Sequence, residues 1–285
     1  MESQPQMTAE LRKTIEYAWK NRINLPALSS SAEIREAIFD VIDRLNTGTL
    51  RAADKTDGQW LSVPWVRQAA LLFMKMRDSA FTPATVTGIS AIDFWDRELD
   101  RFSSFSHYDF VRHDLSITPP VIARRGSFIG KGVQLEPSFI DIAAYVDDDT
   151  AIGAWVSVGA GAQIGKGVHL SSGVTIEGSL HSFHARPAII EDNCHIGANS
   201  SISESVIVEQ NSILAAGVHI DLSTPVFDQE NSLVLHGLVP AGSVVTMGTV
   251  LSENRKFSIM CAIIIRRIDA RTRANTPVHE LLRHP

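Results

Sequence analysis

Three of the chain's ten histidines, His169, His195 and His219, each stand immediately before an aliphatic residue that recurs at a fixed step. Imidazole is the side chain whose ordinary titration falls near neutrality, so these residues are suited to accepting a proton from a reacting group. His181 and His184 lie in a segment that interrupts the same recurrence, together with Leu180, Phe183 and Arg186. Any one of these imidazoles could equally be a solvated or hydrogen-bonded surface group, so spacing alone does not choose among them. Cys194 and Cys261 are the only cysteines. They are too few for a disulfide framework and fit no zinc spacing, which predicts two reduced, buried thiols and no metal.

The recurrence decides what positions these groups. Steps of six residues from Ile140 land on Val146, Ile152, Val158, Ile164, Leu170 and Ile176. A second ladder runs Ile190, Ile196, Ile202, Val208, Leu214 and Ile220. Glycine often follows the aliphatic position, as at Gly130, Gly153, Gly159, Gly165 and Gly197. A period of six fits neither an amphipathic helix nor a half-buried strand of a plain sheet. It fits a triangular coil in which each hexapeptide is one side, an aliphatic residue points inward, and successive coils pair in parallel. The fold predicted is mainly β: a left-handed parallel β-helix with a helical or α+β N-terminal domain and a short strand-helix C-terminal cap. Residues immediately before each inward position, including the three histidines, must face outward. Ile176 and Ile190 are out of step, so a loop over Gly178 to Pro187 is ejected. It either decorates the surface or crosses to wall a cleft with a neighbouring subunit; its apolar and histidine content favours the second.

Domain bounds of 1–112, 113–250 and 251–285 follow. In the first, Ser30 and Glu33 suggest a capping box, with Ile34, Ile38, Val41 and Leu45 on one helical face. Pro64 opens a second helix through Leu72 and Met76. Leu50 to Ala53 and Trp60 to Val63 read as strands around Asp57-Gly58. Near the C-terminus, Phe257 to Ile265 reads as a strand and Pro277 to Arg283 as a short helix. Both flanks are expected to cover the ends of the coil, where bare strand edges invite association.

The chain is 44% hydrophobic, 20% charged and only 7% aromatic, with a net charge of −6. No cluster of cations offers the counterion release on which nucleic-acid binding rests. No apolar run approaches the roughly 18 residues that cross a bilayer, and Met1 to Arg12 lacks a signal core. A soluble, cytoplasmic protein without nucleic-acid or membrane partners is expected.

These motifs resemble the tetrahydrodipicolinate N-succinyltransferase family, hexapeptide-repeat enzymes of lysine biosynthesis. The resemblance spans nearly the whole chain: Gly48, Leu50-Arg51-Ala52-Ala53, Lys55, Asp57-Gly58-Gln59-Trp60, Ala144-Tyr145-Val146-Asp147, Gln163-Ile164-Gly165-Lys166, Val168-His169-Leu170-Ser171, Ile190-Glu191-Asp192-Asn193-Cys194, Ile196-Gly197-Ala198, the stretch from Val239 to Val245, and Asp269-Ala270-Arg271-Thr272-Arg273. It implies a homotrimer with the active site between adjacent β-helices, succinyl-CoA as donor, and a cyclic amino dicarboxylic acid as acceptor. It implies no metal.

Three departures bear on the reaction. Ser116 stands where the family holds a substrate carboxylate with arginine. Gly153, two residues before Trp155, stands where the family has an aspartate. Ser201 stands where it has a glutamate. Losing arginine removes a two-pronged carboxylate grip, and losing both acids removes groups that would orient the acceptor amine or take its proton. The chain therefore reads as a divergent paralogue that moves an acetyl or succinyl group to the amine of a tetrahydrodipicolinate-like or other amino-acid acceptor. Its setting would be lysine-related, or a β-lactam toxin pathway of the tabtoxin type. A true tetrahydrodipicolinate N-succinyltransferase and a catalytically dead CoA-binding paralogue remain alternatives.

Many hexapeptide acyltransferases use a histidine base, and His195, beside the places of the missing acids, is the foremost candidate here. Ser116, Gly153, Trp155, Ser201, His181 and His184 are the expected acceptor contacts. Ala215, Ala216, Gly217, Ser243, Thr246 and Gly248 match family segments that line the acyl-CoA groove. Lys256, with Arg255, Arg266 and Arg267, is placed to meet its phosphates, unless these cations are a solvated face.

Overall fold

The computed structural model describes residues 4–24, 31–76, 80–82, 94–96, 100–181, 186–252, 254 and 256–283. Three parallel sheets form the sides of a triangular coil. Face one stacks Phe128–Ile129, Tyr145–Val146, Gln163–Ile164, Ile189–Ile190, Ile207–Val208 and Leu238–Val239. Face two stacks Ser116–Ile117, Gln134–Leu135, Ala151–Ile152, His169–Leu170, His195–Ile196 and Ile213–Leu214, and continues into Ser243–Leu251. Face three stacks Val121–Ala123, Ser138–Ile140, Val156–Val158, Thr175–Ile176, Ser201–Ile202 and His219–Ile220.

Each hexapeptide buries two residues rather than the expected one. The second column, two positions before the ladder, holds small and β-branched groups such as Ala162, Ala188, Val168, Cys194, Val174 and Val218. Cys194 is thus a core filler, and both cysteines are free and buried. Burying each Ile or Leu of the ladder contributes roughly 1.5–3 kcal/mol, and adjoining rungs share one continuous core. The step of six begins earlier than Ile140: Ile117, Ala123, Ile129 and Leu135 form a first run, and a side shortened by one residue at Leu135–Ile140 conceals it. The pattern is also interrupted after Ile220 by a hairpin of Val226–Asp228 and Leu233–Leu235, then resumes at Val239 and Val245.

The turns have a rule of their own. Three residues after an inward aliphatic the backbone takes positive φ, at Ala143, Asp149, Trp155, Gly161, Gly167, Gly173, Asn193, Asn199, Ser205, Asn211, Gly217 and Gly242. Gly and Asn dominate because this left-handed conformation is sterically open to them. The glycine just after the aliphatic serves differently: a Cβ on Gly159 would strike the backbone of Gly178 in the next coil.

Helices α1 (Gln4–Lys20), α2 (Ala32–Asn46) and α3 (Pro64–Met76) form a second core that continues onto the β-helix through Ile142, Ala143, Ala160 and Leu180. Ser31 caps α2, its hydroxyl accepting from the Ile34 N–H; Ser30 lies outside the described residues. Ile34, Ile38, Val41 and Leu45 are buried together as read from the sequence, with Ile42. The hairpin around Asp57-Gly58 pairs Ala53–Thr56 with Gln59–Ser62, so its first strand starts three residues later than expected. It is pinned to face one: Lys55 Nζ and Trp60 Nε1 donate to Glu191 at 2.6 and 2.7 Å, and Arg51 Nε donates to Gln163 at 2.8 Å. Helix α4 (His107–His113) leads into face two.

The C-terminal strand runs over Ser258–Arg267 and pairs antiparallel with Ser243–Leu251. Short helices α5 (Ala270–Asn275) and α6 (Val278–Leu281) follow. Among the described residues no helix is long and apolar enough to cross a membrane.

Candidate active site

The edge between faces two and three, with its flanks, gathers half of the residues expected at the site: Gly153, Trp155, His195, Ser201, Ala215, Ala216 and Gly217. Because each side has six residues, corner segments of successive coils sit directly above one another: Gly153-Ala154-Trp155, Ser171-Ser172-Gly173, Gly197-Ala198-Asn199 and Ala215-Ala216-Gly217. Backbone hydrogen bonds of 2.8–3.0 Å join them, from Gly173 N–H to the Ala154 carbonyl, Asn199 to Ser172, and Gly217 to Ala198. Trp155 is the outlier in this column. It is 73% exposed and occupies the left-handed slot with φ of 62°, where the three coils above it place Gly173, Asn199 and Gly217. That conformation costs an ordinary L-residue roughly 1–2 kcal/mol, and an exposed indole regains none of it by burial.

On face two, His169 and His195 are register partners, their rings stacked at 4.9 Å with planes 4° apart. Both point outward, as the spacing predicts. Burial pushes the His195 pKa down to about 4, helped by neighbouring His169 and by the charge of Arg273. His169 is lowered by burial and by Arg273, against the opposing charge of Glu136. Arg273 comes from α5, whose N-terminus is capped by Asp269 accepting from the Thr272 N–H at 2.7 Å. Its Nε is buried and has no hydrogen-bond partner among the described residues. An imidazole pair kept neutral beside an unsatisfied guanidinium nitrogen is a setting that favours an anionic guest.

On face three, Ser201 and His219 are register partners in adjacent coils, with Oγ and Nδ1 2.8 Å apart. Ser201 is half-buried and His219 exposed. The edge is convex, so groups on the two faces point apart and cannot enclose one small molecule without a further wall.

The remaining expected contacts are dispersed. Ser116 is exposed at the foot of face two, in register with Gln134 and well below His195. His181 is exposed on the loop that leaves the edge between faces three and one, and His184 lies outside the described residues. The base of that loop is held firmly. The wholly buried Arg67 of α3 pairs with Glu204 and donates to the Ser179 carbonyl, while Glu204 also accepts from the Ser179 N–H. Of the proposed CoA contacts, Ala215, Ala216 and Gly217 are on the site edge, with Ala216 exposed. Ser243 is buried and its hydroxyl donates to the Pro240 carbonyl, so that group is committed to the turn. Thr246 and Gly248 follow along the same strand, opposite Ile263 and Cys261. Lys256 is exposed in the loop beyond it; Arg255 lies outside the described residues.

A cavity of about 800 Å³ lies elsewhere, between the end of α2, Asp100–Phe105 and the first coils. It contains a mutually neutralising pair: burial raises Asp100 to about 6 and lowers Arg101 to about 10. None of the edge residues lines it. No cluster of metal-ligating side chains occurs among the described residues.

Sequence reading missed Arg273 as a neighbour of His195, because its place depends on how the C-terminal arm folds back. The Ser201–His219 pair carried a signal: one full turn of three hexapeptides is 18 residues, the separation of the two.

Comparison with known proteins agrees with this architecture. Residues 10–76 match the family described as tetrahydrodipicolinate N-succinyltransferase N-terminal, and residues 145–177 and 187–221 match the hexapeptide repeat of succinyl-transferase. A 2,3,4,5-tetrahydropyridine-2,6-dicarboxylate N-succinyltransferase of Ralstonia nicotianae is 46% identical over 97% of this chain and 99% of its own. The proteins so named from Paraburkholderia xenovorans and Burkholderia mallei are each 45% identical over the same shares.

Proposed function

Because the chain belongs to the tetrahydrodipicolinate N-succinyltransferase family, we propose that it transfers a succinyl group from succinyl-CoA to the nitrogen of 2,3,4,5-tetrahydropyridine-2,6-dicarboxylate or a close dicarboxylic analogue. The edge between faces two and three is the site, and a neighbouring copy in a homotrimer supplies the second wall that a convex edge lacks.

Acyl transfer from a thioester makes three demands: a neutral attacking nitrogen, a polarised carbonyl, and the two held in line. The thiolate leaves readily, so the protein's work is positioning and proton removal. Stacked corners offer backbone N–H and carbonyl groups at Ala215-Ala216-Gly217 along which a pantetheine arm can run. Arg273, with its unsatisfied Nε beside two neutral imidazoles, suits a carboxylate of the acyl tail or the acceptor. Trp155 offers a large exposed surface for a ring or an acyl chain, at a backbone cost that packing within the subunit does not explain.

One observation carries the site: Gly153, Trp155, His195, Ser201 and Ala215–Gly217, far apart in sequence, lie on one edge and its two flanks. A second reading, transfer of acetyl or succinyl to a different amino acid in a toxin pathway of the tabtoxin type, is favoured by the neutral residues Ser116, Gly153 and Ser201 where the family has one cation and two acids.

The test is thiol release from succinyl-CoA and acetyl-CoA against tetrahydropyridine-dicarboxylate and a panel of amino acids, with calorimetric CoA binding alongside. Turnover of succinyl-CoA with the cyclic dicarboxylate is expected. Turnover with another amine alone selects the second reading; no turnover and no CoA binding removes both. Sedimentation at three times the 31.2 kDa chain mass is the expected assembly state.

A further inference from the structure

Where the acceptor's proton goes is not answered by His195. An efficient base has a pKa near the working pH. His195 is stacked on a second imidazole, shares its surroundings with Arg273 and is pushed down to about 4. Every neighbour named there opposes a positive charge on the ring. Such a residue accepts a hydrogen bond well and holds a transferred proton poorly.

Face three presents a different arrangement on the other flank of the same edge. Ser201 and His219 are the first residues of consecutive parallel strands, and strand pairing fixes their Cα atoms opposite one another. The Ser201 Oγ is 2.8 Å from His219 Nδ1. His219 belongs to the last strand of its sheet, so one side of the ring has no further coil above it. Ser201 sits half-buried beneath it, and below Ser201 the column continues with Thr175 and Ser157, neutral groups. Among the described residues the imidazole is held by one side-chain hydrogen bond, and it is exposed. If Nδ1–H donates to the Ser201 hydroxyl, the tautomer is set and the Nε2 lone pair is left free.

We propose that Ser201 and His219 form the proton-accepting pair of the transferase, with His219 Nε2 as the catalytic base and Ser201 as the residue that orients it. This rests on the acyl-transfer reading and assigns a step within it. The cyclic acceptor is an imine whose nitrogen bears no hydrogen, so water first adds across its C=N bond, oxygen to carbon and hydrogen to nitrogen. That nitrogen, or the amine of an acyclic acceptor, then attacks the thioester carbonyl carbon, a C–N bond forms and the C–S bond breaks. The nitrogen's proton passes to His219 Nε2. The departing CoA thiolate then takes that proton, and the imidazole returns to its neutral form. Charge on the imidazolium is spread toward Ser201, whose oxygen accepts from Nδ1–H in both states. The pair thereby occupies the ground where a carboxylate would otherwise do the same work.

The experiment measures kcat/KM against pH for the wild type, His219→Gln, Ser201→Ala and His195→Gln, with CoA affinity and circular dichroism as checks on folding. His219→Gln is expected to lower kcat/KM by about 10²- to 10⁴-fold. It should also erase the acid-side inflection while CoA affinity stays unchanged. Ser201→Ala should show a smaller loss with the inflection displaced. His195→Gln should keep the inflection. Ser201→Glu, introduced into the His219→Gln protein, places a carboxylate at the same point and should restore part of the rate. Wild-type activity and an unchanged pH profile in His219→Gln would overturn the pair while leaving the transferase reading intact. A wild type that turns over no acyl-CoA with any acceptor overturns both.

Discussion

Acid should destabilise this protein through His195, and the size of the effect follows from its surroundings. In the unfolded chain an imidazole titrates near 6.5; in the fold, burial, His169 and Arg273 hold His195 down to about 4. Above pH 6.5 the ring is neutral in both states and contributes nothing to the pH dependence. Between 6.5 and about 4 the unfolded chain binds a proton that the native ring refuses, so stability falls as pH falls. At ~1.4 kcal/mol per pH unit, that window holds up to about 3 kcal/mol, trimmed by whatever solvent reaches the ring. His195→Gln removes this loss and keeps a polar group of similar reach. Urea unfolding at a series of pH values from 7 to 4 should therefore give a flatter stability curve for the variant, with the difference confined to the region below 6.5. Histidine NMR titration supplies the independent check. A His195 resonance that titrates near 6.5 in the native protein, or parallel stability curves for both proteins, would refute the reasoning.

Three other perturbations follow. Replacing Arg273 by Gln deletes one of the charges opposing protonation, so the His195 pKa should rise by NMR, and an unmoved value would show that the arm does not reach the stacked pair. Arg67→Met leaves the Glu204 carboxylate without its buried partner and frees the Ser179 carbonyl; a loss of about 3–5 kcal/mol is expected in chemical unfolding. Trp155→Gly relieves the left-handed strain and should raise stability by about 1 kcal/mol while impairing turnover; a destabilised variant would mean the indole is held by packing.

Much of the scaffold was legible because it is periodic. A hexapeptide ladder requires nothing but local repetition to be seen, and Ile140 to Ile176 and Ile190 to Ile220 show it without a miss. Outward placement of His169, His195 and His219 follows directly, since a strand's neighbours alternate sides. The helical face of Ile34, Ile38, Val41 and Leu45 was equally visible. Where the repeat skips a residue, between Leu135 and Ile140, the first coil disappeared from view, although Ile117 to Leu135 keep the same step. The first strand of the Asp57-Gly58 hairpin was misplaced because its residues Ala53–Thr56 are held by pairing and by contacts to Glu191 rather than by intrinsic strand preference.

The sequence by itself determined the repeating unit, the inward and outward sides of each strand and the family to which those motifs belong, because each of these is written in short-range spacing. The tertiary structure decided which outward groups meet. His169 and His195 are 26 residues apart and stack only because the ejected loop absorbs eight residues beyond one full turn of 18. Arg273 arrives beside them by a long hairpin and a short helix whose return path no local pattern specifies. A titration depends on distance and burial, which are properties of the packed chain, so the lowering of His195 could be settled only there.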